Sequence, residues 1–240
     1  MILTWLGSVE RARQTATEGM GIWRSLGDPL EVGLAQEALG WSYCLGGENE
    51  RALDLTMEAL ATFRRHGDKW LAIRGLVSVG QVLVALQRVD EAVPVAEELL
   101  EASDRLGDLR GRHYALHYLG DCSLALGHVE EAEARYRLSL QAALAYGNVA
   151  EAGVEMQGVA MSAAGRRDLP RGLEVNGAAE AKMREVGMDI SGFEFWKEYQ
   201  RRYLEPAREA LGPEAAAEAE ARGAAMTFDD AVQLALGTSD

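Results

Sequence analysis

The sequence predicts an all-α fold, a right-handed superhelix of about four and a half consecutive helical hairpins (an α-α solenoid), closed by a C-terminal helical cap. Three observations support this prediction. Glycines recur every 40 residues, other small residues recur with the same period, and the apolar residues between them follow helical spacing. The glycine period has no slippage at Gly27, Gly67, Gly107, Gly147 and Gly187.

The periodic glycines mark places where one helix ends and the next begins. Glycine adopts the left-handed conformation after a helix C-terminus at little cost. Four of these glycines are followed by a short polar residue, Asp28, Asp68, Asp108 or Asn148, whose side chain can accept hydrogen bonds from the free amides of the next helix. Pro29 then stands at the first helical position. The pattern therefore predicts a helix start directly after each polar residue.

The other small residues identify helix pairs. Antiparallel helices need small side chains where their backbones approach most closely. Each 40-residue unit supplies one such residue in its first half and one in its second half, which predicts a hairpin. The first-half residues are Gly40, Gly80, Gly120 and Ala160, and the second-half residues are Ala12, Ala52, Ala92, Ala132 and Gly172.

Composition excludes several classes of partner. The 240 residues contain 24 Lys+Arg and 38 Asp+Glu, a formal net charge of -14, and no stretch gathers basic residues on one face. An acidic surface repels phosphate backbones and anionic lipids, so we expect no direct binding to nucleic acid or to a membrane. The start lacks the basic region of a signal peptide, and Cys44 and Cys122 form no disulfide framework. We therefore expect free thiols and a cytoplasmic location.

The hairpin motifs resemble tetratricopeptide repeats. The segments LGWSYCLGGENERAL, VGQVLVALQRVDEAV and LGDCSLALGHVEEAE carry that family's small residue on the first helix, turn, and alanine on the second helix. The period is 40 residues rather than the family's 34, which implies longer helices. With its tail EARGAAMTFDDAVQLAL, the chain also resembles the C-terminal sensor region of bacterial signal-transduction ATPases that activate transcription. That resemblance implies regulation or signalling, but the sequence has neither a phosphate loop nor a recognisable DNA-binding helix pair.

We divide the chain into a repeat array over residues 1–187 and a C-terminal helical capping segment over residues 188–240. Aligning Ala12 with Ala52 places Met1 where Trp41 stands, so the first hairpin is truncated. The chain is then a fragment of a longer gene product, or its apolar start pairs with a second copy, or that start packs on the next repeat.

The capping segment carries aromatic residues at helical spacing. We expect them to close the core of the array, since large aromatics with this spacing are usually buried. The alternative is that they border or fill the groove of the superhelix. The aromatic residues are Phe193, Phe195, Trp196, Tyr199 and Tyr203.

The resemblance to tetratricopeptide repeats implies that ligand contacts come from fixed positions on the first helices, which line a concave groove. Trp41 and Tyr114 would be rigid anchors, and Arg74 would hold a carboxylate. The alternative is a solvated inner wall with internal salt bridges such as Glu37 to Arg74. The candidate binding residues are Glu37, Trp41, Arg74, Gln81, Tyr114, His117, Asp121 and Gln157.

The sequence predicts neither a metal site nor a cofactor. His113, His117 and Asp121 are spaced i, i+4, i+8, but a straight helix separates the outer two by about 12 Å, so one ion cannot bind all three. The spacing favours an ordinary polar helix face. The nucleophile elbow, dinucleotide and phosphate-loop motifs are absent from the sequence, so we expect no enzymatic activity.

These observations predict a non-catalytic scaffold that binds a protein or peptide, in a bacterial signalling or transcriptional regulator. One alternative is a small-molecule sensor whose groove is closed by the aromatic helix; a buried pocket containing Trp41 or Tyr114 would favour it. A second alternative is a homodimeric assembly element that pairs through the truncated N-terminus.

Overall fold

The computed structural model describes residues 9–238, and within this range it contains twelve α-helices and no β-strand. The all-α prediction is confirmed. The helices are α1 (Val9–Leu26), α2 (Pro29–Leu45), α3 (Asn49–Arg65), α4 (Lys69–Ala85), α5 (Val89–Leu106), α6 (Leu109–Leu126), α7 (Val129–Ala145), α8 (Val149–Gly165), α9 (Leu169–Glu185), α10 (Glu194–Leu211), α11 (Pro213–Ala224) and α12 (Phe228–Leu236).

Consecutive helices pack as hairpins. The four pairs are α2 with α3, α4 with α5, α6 with α7 and α8 with α9, and α1 packs on α2 as the second half of an earlier unit. Stacking of α3 on α4, α5 on α6 and α7 on α8 joins the hairpins into one array, as expected for a helical-repeat solenoid. The predictions for Met1, Ile2, Leu3, Trp5 and Leu6 lie outside the described residues.

The helix starts follow the predicted chemistry. The five periodic glycines all have positive φ, between +68° and +80°. Asp28 Oδ1 accepts the amides of Leu30 and Glu31 at 3.1 and 3.2 Å. The side chains of Asp68, Asp108 and Asn148 each accept one amide of the helix that follows, at 3.0, 3.1 and 3.2 Å. Glycine and cap therefore set the boundaries of the first helices, as the sequence indicates.

The small residues make room for close packing. A Cβ on Gly40 would lie 2.7 Å from the Thr56 methyl of the paired helix, and one on Gly120 would lie 3.0 Å from the Tyr136 ring. A Cβ on Gly80 would lie 2.7 Å from Tyr118, a residue of the next hairpin. These glycines therefore serve contacts between hairpins as well as within them.

The C-terminal helices have two different positions. Helix α11 packs on α9 at the end of the array. Helix α10 instead contacts α4 and α8 and hydrogen-bonds to α6, so it crosses the first helices of the earlier hairpins. The aromatic residues of this segment are buried in the hydrophobic core, as expected, and α10 also borders the groove, whereas α11 is the helix that covers the end of the array.

Two further findings concern the part of the chain that the structure describes. Cys44 and Cys122 are buried and free, as predicted. No helix between residues 9 and 238 combines the length and the apolar content needed to cross a bilayer.

Candidate functional site

The eight candidate residues all lie on first helices. Helix α2 carries Glu37 and Trp41, α4 carries Arg74 and Gln81, α6 carries Tyr114, His117 and Asp121, and α8 carries Gln157. We call the surface of these four helices that carries the candidates the inner face. Six of the eight are buried, and Arg74 and Tyr114 are the more accessible two.

Glu37 and Arg74 form the internal salt bridge that the sequence offered as the alternative. Arg74 Nε lies 2.5 Å from Glu37 Oε2, and the Ser78 hydroxyl donates to Glu37 Oε1 at 2.8 Å. The Trp41 indole N–H donates to Ser78 Oγ at 2.9 Å. Burial raises the pKa of Glu37, although Arg74 opposes this shift. The network fixes Trp41 and leaves only Arg74 partly exposed, with 42% of its side chain accessible.

A buried histidine–carboxylate cluster lies next to this network. It consists of His113, His117 and Asp121 on α6 and of Glu151 and Glu155 on α8. His113 Nε2 lies 3.2 Å from Glu151 Oε2 and 3.7 Å from Glu155 Oε1. His117 lies between two carboxylates, with Nδ1 2.9 Å from Glu155 Oε1 and Nε2 3.4 Å from Asp121 Oδ2. One helix thus supplies the imidazoles, and the next first helix supplies two of the carboxylates.

Tyrosine hydroxyls complete the cluster. Tyr136 donates to Asp121 Oδ1 at 2.6 Å, Tyr146 donates to Glu151 Oε2 at 2.5 Å, and Tyr114 donates to Glu151 Oε1. Within residues 9–238, no group of three or more His, Cys, Asp or Glu side chains has an arrangement that could hold a metal ion. The carboxylates of the cluster are therefore balanced by hydroxyls and imidazoles, together with the charge of Arg110, which acts on Glu151.

The carboxylates of the cluster favour the positively charged form of the His117 imidazole. Desolvation opposes the charged form of His117, but the attraction of Asp121 and Glu155 outweighs it and raises the pKa to about 9. Burial raises the pKa of Asp121 to about 6, although His117 opposes the shift. Burial also acts against the Glu151 carboxylate, yet the hydrogen bond and charge of His113, with the two tyrosine hydroxyls, lower its pKa to about 2.

We expect the protein to lose stability in mild alkali through His117. Its folded-state pKa of about 9 lies above the unfolded value of about 6.5, so the stabilisation is complete below pH ~6.5 and is lost as pH rises through 9. Between pH 7 and pH 9 we expect the free energy of unfolding to fall by about 2 kcal/mol through His117. Asp121, whose folded-state pKa is raised to about 6, makes the free energy of unfolding fall as the pH rises from about 4 to 6. Glu151, whose folded-state pKa is lowered to about 2, has the opposite effect: its stabilising contribution is lost as the pH falls toward 2.

Urea unfolding at pH 7 and pH 9 measures this decline. The groups that face His117 are His113, Tyr118 and Asp121 on its own helix, Glu151 and Glu155 on α8, Tyr136 on α7 and Trp196 on α10. His117→Gln should remove most of the difference between the two pH values. His128→Gln, at an exposed histidine, should leave it intact. An equal decline in wild type and His117→Gln would contradict the assignment.

Helix α10 covers one side of the inner face. The Trp196 ring lies 5.7 Å from that of His117, and its indole N–H donates to Gln157 Oε1 at 2.6 Å. The hydroxyls of Tyr199 and Tyr203 donate to main-chain oxygens of Asp121 and Leu124, at 3.3 and 2.6 Å. The aromatic residues therefore bind to the inner face and bury Gln157 and Asp121 beneath them.

Two of the spaces on the inner face are lined by Trp41. The small cavity, of about 60 Å³, lies between Trp41, Tyr114 and His117 on one side and Met188 to Trp196 on the other. The open groove, of about 280 Å³, lies beside it and shares Trp41; its other walls include Trp70, Arg74 and Arg110. The eight candidates therefore divide between these two spaces. Trp41, Gln81, Tyr114 and His117 line the cavity, and Glu37 and Arg74 line the groove together with Trp41. Asp121 and Gln157 line neither of the two.

Sequence reasoning missed Glu151, Glu155, Trp70 and Arg110. The positions taken from the tetratricopeptide pattern do not include them. A signal was nevertheless present, because His113 and His117 are spaced i, i+4, and so are Glu151 and Glu155, 38 residues later. In an array with a 40-residue period, two such pairs lie on adjacent first helices at nearly the same height.

Comparisons with known proteins identify the fold alone. No protein-family model matches the chain, and no curated protein matches it by sequence. The solved structures similar to it include BtubC (BKLC) from P. vanneervenii, with a TM-score of 0.64 and 19% identity over 96% of this chain and 92% of that one. They also include a Rap protein complexed with Competence and Sporulation Factor, with a TM-score of 0.66 and 14% identity over 98% of this chain and 72% of that one. Both support a tetratricopeptide-like helical-repeat fold.

Proposed function

We propose that this protein is a non-catalytic scaffold that binds a peptide segment of a partner in the open groove of the inner face. The observation that carries the proposal is Trp70, a large aromatic residue that is 59% exposed at the wall of this groove. Trp41 and Trp196, by contrast, are 9% and 3% exposed. Exposed tryptophans beside a concave surface are frequent anchors of binding interfaces.

The groove combines apolar walls with cationic groups. Leu71, Ile73 and Val77 line it beside Trp70, and the Arg74 and Arg110 guanidiniums supply polar contacts. Arg74 is held in place through its Nε by the buried Glu37, while 42% of its side chain stays exposed. A wall fixed in advance in this way loses little conformational entropy on binding, which favours recognition of an extended segment.

The similar Rap protein supports this proposal, because its structure was determined in complex with Competence and Sporulation Factor. The resemblance of the sequence to sensor regions of bacterial regulators supports the finer proposal of a signalling or regulatory role in the cytoplasm. In that role the groove would report the presence of its partner to other parts of a regulatory system.

A small-molecule sensor is the second candidate, and the small cavity is the observation that favours it. The cavity contains both Trp41 and Tyr114, and Trp196 closes it. Its volume of about 60 Å³ is far below the ~300–1,000 Å³ of pockets that enclose drug-sized ligands. A group of a few heavy atoms fits, which favours part of a peptide over a whole metabolite. The homodimer alternative involves residues 1–8, which lie outside the described range.

We expect a peptide selected from a random-sequence display library to lose about tenfold or more in affinity when Trp70 is replaced by Ala. Fluorescence anisotropy of the labelled peptide measures the dissociation constant. Met57→Ala is the matched control, because Met57 is also exposed, at 49%, but lies on the second helix α3. Failure to select any peptide, or equal affinity of the Trp70→Ala and wild-type proteins, would overturn the proposal.

A further inference from the structure

We infer that the small cavity is a subsite for one alkylammonium group, whether it belongs to a lysine side chain, a peptide N-terminus or a free amine. The inference deepens the proposed function by naming the chemistry of one part of the binding surface. Four properties of the cavity support it: its walls, its charge, an unsatisfied carboxylate oxygen and its size.

The walls are aromatic on several sides. The rings of Trp41, Tyr114, Trp196 and Phe193 all line the cavity. Aromatic faces attract cations, most strongly where water is excluded, and they pack against methylene groups equally well. An alkylammonium group presents both a cation and methylenes. A carboxylate, in contrast, would meet the negative faces of these rings.

The charged groups that line the cavity are two carboxylates, Glu151 and Glu155, and two imidazoles, His113 and His117. The histidine–carboxylate cluster as a whole has three carboxylates and two imidazoles, so it is net negative by itself, and the Arg110 guanidinium, whose charge acts on Glu151, offsets part of that charge. Arg110 lies 5.6 Å from the Tyr114 ring centre, but it lines the open groove rather than the cavity. The field of the cluster keeps a buried imidazolium charged at His117, whose pKa is about 9, and the same field attracts a cationic ligand.

Glu155 provides an acceptor for such a ligand. It lines the cavity and is only 1% exposed. Its Oε1 faces His117 at 2.9 Å, whereas its Oε2 accepts no hydrogen bond from the described residues. A buried carboxylate oxygen without a donor is costly. An ammonium N–H in the cavity would supply that donor in a charge-assisted hydrogen bond.

The volume of the cavity limits which cationic groups can enter it. About 60 Å³ exceeds the ~10–15 Å³ needed for one water, so an ammonium with one or two methylenes can be accommodated. A guanidinium is wider and planar, and the open groove suits it better. A divalent ion would need three or more well-placed ligands, an arrangement absent from residues 9–238.

The test uses the folded chain and three probes of similar size, propylammonium, 1-propanol and propionate. The indole N–H signals of Trp41 and Trp196 report on the cavity by NMR, because both rings line it. We expect propylammonium alone to shift these signals with a saturable, millimolar dependence. Equal shifts with 1-propanol, or no saturable shift with propylammonium, would overturn the inference without any variant.

A variant then tests the acceptor. Glu155→Gln keeps the shape of the side chain and should weaken propylammonium binding at least about tenfold. Glu97→Gln, at an exposed residue of α5, is the matched control and should not change binding. Unchanged binding in a Glu155→Gln protein with wild-type circular dichroism would contradict the role of Glu155.

Three capped tripeptides distinguish the sources of the ammonium group. Acetyl-Ala-Lys-Ala-amide presents a side-chain ammonium, Ala-Ala-Ala-amide presents an N-terminal one, and acetyl-Ala-norleucine-Ala-amide is neutral. Preference for either cationic peptide supports the inference and identifies the source, and preference for propylammonium over all three identifies a free amine. If selected peptides bind the open groove but propylammonium produces no saturable shift, the proposed function stands and the inference fails. If propylammonium binds the cavity but no peptide binds the groove, the inference stands and the proposed function fails.

Discussion

Replacing Gly223 by alanine is expected to lower the free energy of unfolding by about 3 kcal/mol. A Cβ at this position would lie 1.8 Å from the main-chain oxygen of Glu174 and 3.0 Å from the amide nitrogen of Ala178. On the facing helix, a Cβ at Gly177 would lie 2.1 Å from the main-chain oxygen of Glu220. Because these neighbours are backbone atoms, the clash is relieved only if α11 moves away from α9.

Urea denaturation followed by circular dichroism measures this effect. Gly21→Ala is the control, because Gly21 is exposed in α1 and a Cβ there has no neighbour within 4 Å. Alanine has the higher helix propensity, so this substitution should raise the free energy of unfolding by about 0.5–1 kcal/mol. The same substitution is thus expected to have opposite signs at the two sites, and equal effects would refute the assigned α9–α11 contact.

Glu133→Gln is the second substitution with a large expected effect. The Glu133 side chain is 3% exposed and pairs with three arginines, Arg137 at 2.6 Å, Arg166 at 3.0 Å and Arg171 at 2.8 Å. Removing one partner of a buried ion pair costs about 3–5 kcal/mol, and we expect about 3 because Arg137 and Arg166 are partly exposed. The pKa of Arg137 shows the balance: burial and the charges of Arg171 and Arg166 lower it, and only Glu133 raises it.

The loss should be greatest at the C-terminal helix α12. Arg171 donates to the main-chain oxygens of Leu234 and Ala235, and Arg137 donates to that of Ala235, so Glu133 positions the two arginines that hold this helix. Hydrogen exchange should therefore show faster exchange in α12 of the Glu133→Gln protein than in its α2–α5 region. Glu131→Gln removes only an exposed i,i+4 pair with Arg135 and should cost less than about 0.5 kcal/mol. Unchanged protection of α12 would contradict this account.

The helix boundaries could be predicted because their causes are local. A glycine with positive φ and a capping side chain one residue later act within a single turn of the chain, so Gly67 and Asp68 identify a boundary without any tertiary information. The stacking of hairpins is nearly as local, since each unit contacts mainly its neighbours. For this reason the 40-residue period predicted the array.

The candidate site was only partly predictable. The tetratricopeptide pattern identified the helices that form it and placed Trp41 and Tyr114 in the walls of the cavity. The Glu37–Arg74 salt bridge was one of two alternatives that the sequence left open, and the pattern did not indicate that Glu151 and Glu155 would face the imidazoles of α6. Those outcomes depend on the rotation of one first helix relative to the next, and a shift of one residue in register would change every partner.

The sequence by itself determined the helices, their boundaries and their order in hairpins, because capping, helical periodicity and nearest-neighbour packing act over short distances along the chain. Only the tertiary structure decided where α10 lies. Tyr199 and Tyr203 bind main-chain oxygens 78 and 79 residues earlier, and Trp196 closes a cavity against His117. These contacts exist only when the assembled array presents its inner face, so no local pattern of residues specifies them.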